Sequence, residues 1–352
     1  ITGPVPAGNL LTDNIQRQDI TQTSYSASAR YQRDMLAGRA QLKATYAVFE
    51  ESRDDREEEI DFDRSTPRFT GDFIDTELFD REIGVEFEHV VPVSDGVDLV
   101  FGAFWQTKGR STDIRTQRNR FNVTSGLADY IQFLRTPNEF TRAYSSLLPT
   151  PGSVNRIDED RLDGFALIEG SNTAFAWEAG LRYESTDVTV DDLTGAAAAP
   201  IKSSYGYLLP SAHVKFDITP VDRINISGAR TMRRPNFNFL SPATLEGEYG
   251  DNDFVGDPTL RPETAWGGDI GYERRLGSKG VIGVNFFYRA VQDLVELTTV
   301  LDSAGNPVPG VNDSPPDRAF VLTPANAGDG DVYGIEFDLS TPLGFIGLDD
   351  TG

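Results

Sequence analysis

Phe175-Ala176-Trp177-Glu178-Ala179-Gly180-Leu181-Arg182-Tyr183-Glu184 changes character at nearly every step. Phe175, Trp177, Ala179, Leu181 and Tyr183 share one parity, and Glu178, Arg182 and Glu184 share the other. On extended backbone successive side chains point to opposite faces, so this stretch is a strand with one apolar and one charged side. A helix would space its apolar residues three and four apart. The same period of two runs elsewhere. Ala40, Leu42, Ala44, Tyr46 and Val48 alternate with Gln41, Lys43, Thr45, Ala47, Phe49 and Glu51. Ile83, Val85 and Phe87 alternate with Glu82, Glu86 and Glu88, and Tyr333, Ile335, Phe337 and Leu339 with Gly334, Glu336, Asp338 and Ser340. Between them Ile282, Val284, Phe286 and Tyr288 oppose Asn285, Arg289 and Asp293.

About eleven such strands are expected, most of them longer than the five or six residues usual in soluble sheets. They fall near 18–31, 39–56, 76–93, 98–121, 160–171, 174–193, 203–219, 223–235, 264–276, 281–299 and 328–343. Their connections alternate between short and long. The short ones include Ser94-Asp95-Gly96-Val97, Ser171-Asn172-Thr173, Pro220-Val221-Asp222 and Gly277-Ser278-Lys279-Gly280, with the turn residues that tight hairpins need. The long ones lie near 57–75, 122–159, 194–202, 236–263 and 300–327. A transmembrane β-barrel has this asymmetry, with short periplasmic turns and long external loops. A soluble sandwich shares the period of two but gives no reason for alternate connections to be long.

Energy decides which face meets lipid. A Lys or Arg at the membrane midplane costs roughly 2–4 kcal/mol. Lys43, Arg182 and Arg289 therefore belong to the inner face or the membrane boundary. Tyr46, Trp105, Trp177, Trp266 and Tyr333 suit interfacial girdles, where an aromatic ring with a polar edge is favoured.

Composition narrows the function. Across 352 residues, 32 Lys and Arg against 55 Asp and Glu give a formal charge of −23, which disfavours nucleic acid. Cysteine is absent, so neither disulfides nor thiolate metal sites are available. The opening Ile1-Thr2-Gly3-Pro4 has no charged or apolar leader, as expected of an excerpt or of a processed chain. The only histidines, His89 and His213, fall on opposite parities of separate strands, and no serine is marked as their partner. No phosphate loop, zinc spacing or dinucleotide fingerprint appears. We therefore expect no enzyme, no metal and no cofactor. The acidic run Asp54-Asp55-Arg56-Glu57-Glu58-Glu59 lacks the calcium-loop pattern and is read as solvated charge.

Several stretches resemble one family. Tyr207-Leu208-Leu209-Pro210-Ser211 and Arg230-Thr231-Met232-Arg233-Arg234-Pro235-Asn236-Phe237 are similar to consecutive strands in the later barrel of TonB-dependent receptors. Gly256-Asp257-Pro258-Thr259-Leu260-Arg261-Pro262-Glu263 resembles that family's "GNPxLkPE" box, with Asp257 in place of Asn. Asn285-Phe286-Phe287-Tyr288-Arg289-Ala290-Val291-Gln292-Asp293-Leu294-Val295, Asn326-Ala327-Gly328 and Val332-Tyr333-Gly334-Ile335-Glu336 continue the order, and Gly180-Leu181-Arg182-Tyr183-Glu184-Ser185-Thr186 precedes it. Residues 1–160 carry the strand pattern alone.

The resemblance implies an all-β fold, an antiparallel transmembrane barrel of the bacterial outer membrane, of which this chain supplies roughly half of about 22 strands. An N-terminal plug, its energy-coupling segment and the C-terminal strands are expected outside residues 1–352. It also implies active uptake of a scarce nutrient, a ferric siderophore or a carbohydrate, with a TonB complex of the inner membrane as partner through the plug. Lipid and lipopolysaccharide would surround the barrel. A passive porin and a soluble β-sandwich binding or adhesion module are the other readings.

Candidate contacts follow. Phe237, Phe239, Tyr249 and Phe254 in the 236–263 loop could stack on substrate or pack the loop. Arg115 and Arg118, clustered with Arg110 and Arg120, could meet an anion or lipopolysaccharide, or pair with neighbouring acids. Arg234, Pro235, Pro258, Pro262 and Glu263 are expected at the loop base, where the prolines stiffen the return and Glu263 pairs with Arg230, Arg233 or Arg234.

Overall fold

The computed structural model describes residues 12–35, 37–61, 66–122, 147–195, 199–245, 252–277, 279–310 and 318–341. Its strands are β1 (Thr12–Met35), β2 (Gly38–Asp61), β3 (Arg68–Ser94), β4 (Val97–Asn122), β5 (Leu148–Ser171), β6 (Phe175–Asp192), β7 (Ile201–Asp217) and β8 (Asp222–Arg233). After a single helical turn, α1 (Phe237–Leu240), come the short β9 (Thr244–Leu245) and β10 (Asp253–Val255). The long strands β11 (Glu263–Leu276), β12 (Gly280–Thr299) and β13 (Val321–Ser340) follow. All thirteen form one sheet in the order β1 to β8, β11, β12, β13, β10, β9. The eleven long strands pair antiparallel with their neighbours, and only β10 runs parallel, against Val321 and Leu322 at the start of β13.

The register joins the apolar parities into one belt. Leu42 faces Phe87, Phe87 faces Ala103, Leu99 faces Ile168, and Leu181 faces Pro210. The belt continues through Ile226, Ile270, Phe286 and Ile335, each opposite the next. This face is not covered. Leu181 is 47% exposed, Ile270 57% and Ile335 60%. A soluble sandwich would bury such residues, each worth about 1.5–3 kcal/mol on transfer out of water. The exposed belt is instead the lipid-facing wall of a barrel.

Tyr46, Trp105, Tyr183 and Tyr288 stand at one level of the belt. Each lies eight residues beyond the first residue of its strand, Gly38, Val97, Phe175 and Gly280 respectively. Eight residues span about 26 Å of strand. At the usual tilt that is roughly 20 Å of height, close to the apolar band of such barrels. Above this level the outward parity turns polar: Asp113 and Arg115 on β4, Asp158 and Asp160 on β5, Asp187 and Asp191 on β6.

The short connections are two to four residues long. Gly96 sits at φ +71°, and a Cβ there would lie 2.6 Å from the Ser171 carbonyl. Ala37 takes the same left-handed region at φ 56° without being glycine.

Several long connections are shorter than the sequence suggests. β2 and β3 reach Asp61 and Arg68, β5 begins at Leu148 rather than near 160, and β13 begins at Val321. The reason is physical. Beyond the belt both faces are polar, as with Arg156 and Asp158 outside and Asn155 and Glu159 inside on β5, so a hydrophobic period cannot report the strand. The connection after β8 is not plain loop either, since it carries α1, β9 and β10.

Candidate functional site

The charged parity lines the concave side of the wall, and the segment after β8 folds into it. At Arg234 the chain leaves the sheet and turns inward. Its Nη2 donates to Glu184 Oε2 and its Nε to Thr186 Oγ1 at 3.3 Å. Asn236 then caps α1, accepting from the Phe239 N–H at 2.9 Å. Leu240 drops into a small core with Ile157, Val188, Val190 and Leu260, against which Tyr205, Phe237, Phe239 and Val295 pack. This is the buried apolar cluster on the inner side of the wall, and it ties the in-folded segment to β5 and β6.

Three further contacts hold the segment. Arg110 makes two bonds to Asp80, at 2.7 and 2.6 Å, and a third from Nη1 to Asn238 Oδ1 at 2.5 Å. Its guanidinium also lies 5.6 Å from the Phe237 ring centre. Asn155 Nδ2 donates to Ser241 Oγ at 3.0 Å and to the Gly152 carbonyl at 2.9 Å. Gly152 is at φ +74°, and a Cβ there would stand 2.1 Å from the Pro242 carbonyl oxygen. Only glycine lets the two backbones approach so closely.

The return path is equally fixed. Asp257 accepts from the Thr259 N–H at 2.8 Å and from its hydroxyl at 2.6 Å. Pro262 is fully buried. Asn326 Oδ1 accepts from the Arg261 N–H at 2.9 Å, and Asn326 Nδ2 donates to the Arg261 and Asp293 carbonyls. Glu263 Oε1 accepts from the Val295 N–H at 2.7 Å, while its other oxygen is 3.5 Å from the exposed Arg233.

Below the segment the inner wall is a network of paired charges. Arg161 donates to Asp163 at 2.9 Å and to Glu184 at 2.8 Å; Arg182 also donates to Asp163 and lies 3.0 Å from Glu184. With Arg234, three guanidiniums thus share Glu184. Arg161 stacks over Phe104 and Arg182 over Phe165. Further on, Arg289 grips both oxygens of Asp269 at 2.9 Å.

Between the wall and the turn at Arg234-Pro235-Asn236-Phe237 lies an open cleft of about 600 Å³. Phe49, Asp80, Glu82, Lys108, Arg110, Glu159 and Phe237 line it. Glu82 is engaged by Gln106 at 2.6 Å and approached by Lys108 at 3.4 Å. Glu159, 5% exposed, has no hydrogen bond or ion pair among the described residues.

The expected site residues divide. Phe239 and Phe254 meet, with ring centres 6.1 Å apart, and Phe237 alone of the aromatics lines the cleft. Tyr249 lies outside the described residues. Arg115 and Arg118 do not form a cluster, because an odd spacing puts them on opposite faces. Arg115 pairs outward with Asp113 at 2.9 Å and Arg118 inward with Asp72 at 2.5 Å. Arg234 and Pro235 stand at the inward turn, with Pro258, Pro262 and Glu263 on the way back. His89 lies between Phe87 and Phe101 on the outer face, far in register from the inward His213, whose partners are Glu178 and Ser227. The residues that sequence reasoning passed over are Asp80, Asn155, Glu159, Arg161, Asp163 and Glu184, while Arg110, expected in the arginine cluster, pairs with Asp80. Opposite charges two apart on the inner parity, as in Arg161 and Asp163, are the signal that could have found the network.

The family profile described as "TonB dependent receptor-like, beta-barrel" matches residues 2–351. Among solved structures, the chain is similar to the unliganded ferric citrate transporter FecA, with a TM-score of 0.54 and 12% identity over 93% of this chain and 40% of that one. It is also similar to the Serratia marcescens hemophore receptor HasR, in a double mutant bound to its hemophore HasA and heme, at TM-score 0.49 and 11% identity over 90% of this chain and 51% of that one. The FrpB iron transporter from Neisseria meningitidis gives 0.45 and 11% over 92% and 51%. The chain spans about half the length of these proteins or less. No curated protein matches it.

Proposed function

Since the chain belongs to the TonB-dependent receptor family, matching its β-barrel over residues 2–351, we propose that it is part of the wall of an outer-membrane receptor for energy-coupled uptake of a scarce nutrient. The family is one of transporters and receptors of the outer membrane, and no described helix is long and apolar enough to cross a membrane. In this reading the long connections face outside and the short turns face the periplasm. Lipid and lipopolysaccharide meet the belt and the polar band above it. A plug, encoded outside these residues, connects the barrel to the inner-membrane TonB complex.

The observation that supports a receptor over a passive pore is the packing of residues 234–245 and 252–262 against the inner wall. Beside Arg234–Phe237 the segment forms a cleft against the wall. A nutrient descending from the outer end meets Phe237 and the charged wall beside it. Phe239 and Phe254, which meet at a tilt, serve packing; so does Glu263 at the loop base. The nutrient in this reading is a ferric siderophore or a carbohydrate.

The test is genetic. A strain lacking the gene, supplied with single iron chelates or single saccharides at limiting concentration, loses growth on one class and regains it from a plasmid copy. Loss of that rescue in a strain without TonB supports the proposal. Uptake that persists there, rising linearly with concentration, shows a porin.

A further inference from the structure

The cleft beside Glu159 carries chemistry that narrows the nutrient class. Glu159 is almost wholly buried on the inner parity of β5, yet no described donor meets it. Glu159 lines the open cleft, so its donor there is water or a ligand hydroxyl that displaces it. Two classes of ligand are disfavoured by the charges around it. An anion would face three carboxylates on the lining, Asp80, Glu82 and Glu159. A cation would face Arg81, Lys108, Arg110 and Arg234 on the same lining, with Lys108 directly across from Glu159 in the strand register. What remains compatible is an uncharged molecule rich in hydroxyls. Such a ligand donates to Glu159 and accepts from Lys108, and its C–H face lies on the ring of Phe49, which makes no ring contact among the described residues. The cleft volume falls within the range of small-molecule sites.

Resting on the receptor reading above, we propose that the cleft between β2–β5 and the turn at Arg234–Phe237 binds a neutral saccharide, with Glu159 as hydroxyl acceptor and Phe49 as stacking platform.

The experiment uses the full-length polypeptide in detergent micelles. It is applied to an immobilised array of uncharged and acidic oligosaccharides and, separately, titrated with ferric citrate as an anionic chelate. Binding to one or more uncharged oligosaccharides is expected, weakened about tenfold by Glu159→Gln through loss of a charge-assisted hydrogen bond. Phe49→Ala should weaken it similarly. Retention of the heat-modifiable folded band on gels shows that both variants are folded. The inference is overturned if no uncharged oligosaccharide binds, if binding is unchanged in both variants because other parts of the full chain fill the cleft, or if ferric citrate binds and Glu159→Gln strengthens it. These failures leave TonB-dependent growth untouched, whereas failure of the receptor reading abolishes that dependence whatever binds.

Discussion

Glu184 is where the inner wall is most concentrated. Three guanidiniums, from Arg161, Arg182 and Arg234, converge on its carboxylate, and the side chain is only 9% exposed. Removing the negative charge would leave Asp163 to balance the remaining cations. Breaking a buried ionic cluster by deleting one partner typically costs about 3–5 kcal/mol. Because Arg182 is still about a third open to solvent, Glu184→Gln is expected to cost the lower part of that range, read as a fall in the temperature at which the folded gel band disappears. Ala37 makes the opposite case. At φ 56° an alanine pays a steric penalty that glycine does not. Ala37→Gly should therefore stabilise the barrel by up to about 1 kcal/mol in the same assay. Asp302, in the turn after β12, accepts from the N–H groups of Ala304 at 2.9 Å and Asn306 at 2.8 Å. Chiefly the Asn306 backbone bond, with that from Ala304, holds its carboxyl below the usual carboxylate range. A carboxyl depressed in the folded state contributes stability that is present above the ordinary carboxylate value and lost as pH falls through the folded one. Amide exchange at Ala304 and Asn306, corrected for its intrinsic rate, should be flat above about pH 5 and accelerate below about pH 4. In Asp302→Ala it should be fast throughout.

At the scale of the element, the in-folded segment is held by the Leu240 cluster and by side-chain bonds from Arg110 and Asn155. Gly152 is the most discriminating place to disturb it, because a side chain there collides with the Pro242 carbonyl without touching the outer belt. Gly152→Val is expected to lift the segment from β5 and speed proteolytic cutting between 236 and 245 several-fold, while the folded gel band persists. Unchanged cutting would show that the segment does not depend on this approach. The sequence reveals little of this. Prolines and the Asp257 box announce a stiff return, but the inward path depends on Ile157, Val188 and Val190 offering a surface. The long upper parts of β5 and β3 are hidden for a related reason. Where both faces meet water, alternation of apolar and polar residues stops, although the backbone ladder continues. The pairing of Arg161 and Asp163 with Arg182 and Glu184 needs the register between β5 and β6, which no single strand encodes.

For the whole molecule, the outer belt is legible in the sequence because lipid makes it so. Alternation assigns Leu181, Ile270 and Phe286 to one face and Arg182 and Arg289 to the other, and the structure arranges them so. The girdle adds a second regularity, a tyrosine or tryptophan at the same step of β2, β4, β6 and β12. A charge placed in the belt should cost about 2–4 kcal/mol near the midplane. Ile270→Arg is therefore expected to reduce the yield of folded barrel in lipid vesicles sharply. Asn285→Arg, on the inner face one step away, should fold at nearly the wild-type yield. Equal yields for the two would mean that the belt does not meet hydrocarbon.

Unequal strand lengths make the rim slanted. β4 climbs seventeen residues past Trp105, whereas β8 is twelve residues in all. One flank is thus a tall parapet and the other a low sill. Among the described strands Arg234 stands at that sill, where the chain dips inward, so a visitor coming over this low part of the edge would touch the in-turned segment before it met the high side. Approach would be sideways, across a threshold, rather than straight down a shaft.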